Sequence, residues 1–92
     1  MEGSTAESID YPSIFIRDGW VCQICGKPVN PDEKYPSSVS PSIDHIVPLS
    51  RGGSHTFENV QLTHLKCNKQ KFTKTLAEYR IYLVNTRKDM QE

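Results

Sequence analysis

The chain has 92 residues, eleven basic and eleven acidic, which is room for one small domain and not two, with no net charge to mark a generally polycationic or polyanionic protein. No run approaches the ~18 apolar residues of a membrane span and no basic-then-apolar leader opens the chain, so a cytoplasmic protein without a membrane partner is expected. Three cysteines are an odd number that closes no disulfide framework, and domains this small lean on a metal or a partner for stability.

Residues 1–8, MEGSTAES, are small, polar and aperiodic and read as a disordered lead-in, with a single domain over 9–92. Ile14, Phe15 and Ile16 suggest a short helix stopped at Gly19, and Cys22 to Gly26 a tight turn. Pro28 to Ser42, with four prolines and four serines, reads as an ordered surface loop. Ile43–Val47 has strand composition, Pro48–Glu58 is a loop containing Gly52-Gly53, and Asn59–Leu62 is a second short strand. Thr63 is the expected cap of a helix running through Lys71. Thr75 with Glu78 forms a capping box before Leu76, Tyr79 and Leu83, at helical spacing, so a last amphipathic helix is expected over 76–85.

Cys22-x-x-Cys25-Gly26 has the spacing of a zinc knuckle, two thiolates converging on one ion. A redox pair would sit beside a βαβ pattern, which this chain lacks. His64 and Cys67, three apart on the expected helix, share a face and complete a tetrahedral set that uses every cysteine. Four protein ligands leave no open position, so this zinc is structural and any chemistry belongs to other residues.

Asp44-His45 ends the first expected strand, where neighbours point to opposite faces, so one can hold a hard cation while the other approaches a substrate. Asn59 and Asn68 follow downstream. The text CQICG, then IDHIVPLSRGG, then ENVQLTHLKCNKQK, resembles the HNH family of endonucleases over roughly residues 14–72. That resemblance implies an α+β fold with a ββα-metal core over about 43–72, built on a zinc-knuckle cage with flanking helices. It implies Asp44 and Asn68 as protein ligands of a catalytic Mg²⁺ or Mn²⁺, His45 as the general base, and Asn59 as the brace of the interstrand loop. The implied reaction is hydrolysis of DNA phosphodiester bonds, leaving a 5′ phosphate and a 3′ hydroxyl.

Against the family pattern, His64 replaces a thiolate of the cage, and Asn68 stands where many members carry a histidine, which favours a hard, oxygen-loving ion. The alternative of His64 as a catalytic residue would leave the cage one ligand short. Stand-alone nucleases of this kind resemble those of bacteriophages and mobile elements, some of which assist a terminase, which places the expected protein in a bacterial host cell as a monomer or weak homodimer. Residues 62–92 carry seven basic and three acidic groups and residues 1–61 four and eight, so Arg51, Lys66, Lys69, Lys71 and Lys74 are candidates for contacts to the DNA backbone, a solvated helix face being the alternative. His55 reads as a solvated loop residue. The rival to a nuclease is a zinc-stabilised nucleic-acid-binding or protein-docking module without catalysis.

Overall fold

The computed structural model describes residues 6–90. Helix α1 spans Tyr11–Arg17, with Pro12 in its first turn, where a missing N–H costs nothing. It ends as expected before Gly19, whose φ of 66° is the left-handed conformation that glycine adopts freely. Arg17 and Asp18 fasten this helix to the second strand. The Arg17 guanidinium donates to the carbonyls of Phe57 and Val60, each at 2.7 Å, and the Asp18 carboxylate accepts the Leu62 N–H at 2.9 Å.

Strand β1 is Pro41–His45 and strand β2 is Val60–His64. They pair antiparallel, with Asp44 opposite Gln61 and His45 opposite Val60. The strands begin two residues earlier and one residue later, respectively, than sequence pattern suggests. Thr63 therefore belongs to β2 and is fully buried with its hydroxyl unpartnered, so it does not cap the helix that follows. Helix α2, Leu65–Lys71, has His64 at its N-cap position and no side-chain cap. Its first N–H groups are met instead by the serine-rich loop: Leu65 donates to the Ser40 carbonyl at 2.9 Å and Lys66 to that of Ser38 at 2.8 Å.

The capping box forms in both directions, Thr75 N–H to Glu78 Oε1 at 3.0 Å and Glu78 N–H to Thr75 Oγ1 at 3.1 Å. Helix α3 runs from Leu76 to Met90, five residues past the expected end. Its first N–H donates to the Ile46 carbonyl at 3.0 Å, and Tyr79 is its buried anchor. Of the lead-in expected over residues 1–8, residues 1–5 lie outside the described part. Glu7 is tied down, its N–H donating to the His55 carbonyl at 2.8 Å and its carboxylate accepting the Phe57 N–H at 2.9 Å.

The core is small. Cys22, Val29, Leu62 and Cys67 form its buried cluster, with Phe15, Trp20 and Ile24 packed around it. Two of those four are thiols that point at one another, so the apolar centre and the proposed metal cage are the same place. The arrangement is mixed α+β: a two-stranded antiparallel sheet leading into a helix beside a three-cysteine, one-histidine cluster. Among the described residues, no helix is long and apolar enough to cross a membrane.

Candidate metal cage and catalytic site

The ligand atoms of Cys22, Cys25, His64 and Cys67 all lie within 4.8 Å of one another. The knuckle is closed by Cys22 N–H to Lys27 O at 2.9 Å and Gly26 N–H to Cys22 O at 2.8 Å, with Gly26 at φ 78°. His64 Nδ1 stands 3.4 Å from Cys25 Sγ and 3.8 Å from Cys67 Sγ. In a tetrahedron with Zn–S of about 2.3 Å and Zn–N of about 2.0–2.1 Å the ligand-to-ligand edges are about 3.5–3.8 Å, close to the two His64 separations. The other ring nitrogen, Nε2, is 3.0 Å from the Pro28 carbonyl. A carbonyl only accepts, so the proton sits on Nε2 and Nδ1 turns its lone pair to the sulfurs, as a ligating histidine requires. This assignment takes His64 out of consideration as a catalytic group.

Three thiols this close repel one another as anions. Burial first, and then the charges of Cys22 and Cys25, push the Cys67 thiol up to about 12. Burial also raises Cys22, but the N–H groups of Cys25, His64 and Ile24 directed at its sulfur outweigh that and hold it below its ordinary value. A dication at the centre reverses the repulsion and lets all three bind as thiolates.

Asp44 points inward and is 3% exposed. Its Oδ2 accepts from Gln61 Nε2 at 2.9 Å, the residue opposite it across the sheet, and its Oδ1 accepts from Lys71 Nζ at 3.1 Å. Lys71 is fully buried and also donates to the His45 carbonyl at 2.8 Å. It was expected at the DNA backbone; enclosed between α2 and β1, it is instead a structural counter-ion for Asp44. Asn68, one turn before it on α2, donates through Nδ2 to Ser42 Oγ at 2.9 Å and to the Ile43 carbonyl at 3.0 Å. Asp44 and Asn68 thus both belong to the β1–α2 junction. A carboxylate has about four lone-pair sites, of which Gln61 and the Lys71 ammonium take two. A carboxylate and an amide oxygen are both hard donors, the type that a hard divalent cation takes.

His45, on the other side of β1, is half-buried, and its Nε2 is 3.0 Å from Nδ1 of His55. Burial, then the neighbouring His55, hold the His45 ring below its ordinary pKa against the opposing pull of Asp44. The ring is therefore neutral near pH 7, with a lone pair to offer. Asn59 braces the interstrand loop from inside: its side chain accepts the Val47 N–H at 3.0 Å and donates to the carbonyls of Val47 and Ser54 at 2.9 and 2.8 Å. Gly53 passes between them, where a Cβ would overlap the Val47 carbonyl and come within 2.9 Å of Asn59 Nδ2.

Of the remaining basic candidates, Lys66 and Lys69 are exposed on α2. Lys74 lies over the Tyr82 ring, 5.0 Å from its centre. Arg51 grips Glu78 with two nitrogens, at 2.9 and 3.1 Å, and the Thr73 carbonyl at 3.2 Å. That grip, followed by the Thr75 N–H, holds the Glu78 carboxyl down at about 2.

Sequence reasoning missed two contributors. Gln61 is visible only once the strand register sets it opposite Asp44. His55 is ten residues from its partner in a loop without periodicity, and its only sequence signal is lying between the glycine pair and Asn59. A family model described as HNH endonuclease matches residues 22–74, more than half of the chain. No curated protein matches it.

Proposed function

The chain belongs to the HNH endonuclease family, and we propose from its site that it hydrolyses DNA phosphodiester bonds in a metal-dependent reaction. The observation that carries this reading is the placement of His45 beside Asp44 at the end of β1. The zinc cage needs neither residue, yet one is a neutral imidazole and the other a buried carboxylate with a second oxygen donor, Asn68, at the same junction.

In this reading His45 takes the proton of the attacking water, its ring held neutral by burial and by the neighbouring His55. Asp44 and Asn68 would hold a divalent cation, which would supply positive charge beside the phosphodiester under attack. Asn59 keeps the loop after His45 in shape through its three hydrogen bonds. Lys66 and Lys69, exposed on the helix that also carries Asn68, contact the phosphate backbone, with Lys74 and Arg51 as further candidates.

Conversion of supercoiled plasmid to the nicked or linear form is expected with Mg²⁺ or Mn²⁺ and not with a chelator that spares the bound zinc. His45→Ala is expected to abolish cleavage while keeping its zinc and helix content. A wild-type protein that binds DNA yet gives no metal-dependent cleavage would instead mark the non-catalytic binding module.

A further inference from the structure

Two imidazoles meet where β1 ends and the interstrand loop folds back, and only one of them has a role so far. His45 Nε2 and His55 Nδ1 are 3.0 Å apart, with ring centres separated by 5.3 Å. Contact of this kind carries one proton between the two nitrogens, so one ring donates and the other accepts. If His45 donates, both rings take the Nε2–H form, the more stable neutral tautomer of a histidine side chain. If His55 donates, both are forced into the Nδ1–H form, and His45 loses the lone pair on Nδ1.

The loop is built to keep His55 there. Its preceding residue, Ser54, gives its carbonyl to Asn59 Nδ2 at 2.8 Å, and its following residue, Thr56, gives its carbonyl to the Asn59 N–H at 2.9 Å. The His55 carbonyl itself accepts the Glu7 N–H at 2.8 Å. The Tyr11 ring meets the imidazole edge-on, 6.5 Å between centres. A merely solvated side chain has no need of this bracing.

We propose that His55 is the positioning residue of the catalytic base: its Nδ1 accepts the Nε2 proton of His45 and so leaves Nδ1 of His45 bare to take a proton from water. The inference rests on His45 being the base, and it gives Asn59 a second task, since the same carboxamide that holds Val47 also holds the backbone beside His55.

The test uses the zinc-loaded full chain and the variants His55→Ala and His55→Asn, the latter because its amide oxygen reaches the place of Nδ1 and accepts the same proton. Long-range proton–nitrogen correlation spectra, recorded without added Mg²⁺, are expected to show His45 protonated at Nε2 alone in wild type and H55N, and a mixture of tautomers in H55A. In plasmid nicking, kcat of H55A is expected to fall about tenfold to a hundredfold, the usual range for losing an outer-shell partner, with KM unchanged and H55N close to wild type. A proton on Nδ1 of His45 in wild type, or an H55A spectrum identical to wild type, overturns the proposal, as does a loss in H55A that appears only in KM. Should the wild type fail to nick DNA, the nuclease reading falls while the spectra still decide the tautomer.

Discussion

Replacing Lys71 by Met keeps most of the buried aliphatic stem and deletes the ammonium that sits between Asp44 and the His45 carbonyl. Both members of the pair are enclosed, at 0% and 3% side-chain exposure, so solvent screens neither. Removing one partner of a buried ion pair typically costs about 3–5 kcal/mol because the other charge is stranded. Gln61 still donates to Asp44, which places the expected loss near the lower end, about 3 kcal/mol. For a domain of this size that lowers Tm by about 12–24 °C. Thermal and urea unfolding of the zinc-loaded protein measure it. Asp44→Asn combined with K71M should recover part of the loss, because no unpaired charge then remains. A divalent ion should restabilise K71M more than wild type, by up to about 2.7 kcal/mol at a hundredfold excess over Kd, since Asp44 is then the carboxylate without its resident cation. A K71M variant within about 0.5 kcal/mol of wild type, but with a shallower salt dependence of DNA binding, would refute this account and return Lys71 to the surface as a phosphate contact.

Cys67→Ser should release zinc and unfold the domain, because structural zinc contributes about 10–16 kcal/mol in small domains, as large as the about 5–15 kcal/mol by which whole domains are stable; metal analysis beside circular dichroism checks it, and a zinc-free yet folded variant would contradict it. Gly53→Ala puts a methyl group against the Val47 carbonyl and the Asn59 amide, so the interstrand loop must open. Nicking is expected to fall at least tenfold while the zinc content stays that of wild type, and normal nicking by this variant would show that the loop brace is dispensable.

The chemistry-bearing residue types and the local elements were legible in the sequence because they depend on near neighbours. The C-x-x-C turn and the Thr75–Glu78 capping box each close within one or two turns of chain and form as read, whereas His64 meets Cys67 as expected but from the end of β2, at the N-cap of α2, and not from the helix face. The cage was legible for a second reason, since an odd number of thiols in a small core has few other uses. What sequence could not reach involves partners brought together across the sheet or the loop. Whether Thr63 caps a helix or lies within a strand depends on where β2 stops, and the serine loop takes over the capping of α2. Whether Lys71 faces DNA or the interior depends on Asp44, twenty-seven residues away, since a lysine at a helix end suits both.

The sequence by itself determined that a zinc-held α+β domain would carry an imidazole, a carboxylate and two carboxamides near one strand end, because ligand identity and spacing fix which atoms can share an ion. Only the tertiary structure decided how those groups are coupled: Asp44 to Gln61 and Lys71, His45 to His55, Asn59 to both sides of its loop. Hydrogen bonds select partners by position in space and a buried charge takes whichever counter-ion the fold delivers, so strand register and loop path, not residue type, assigned each pairing.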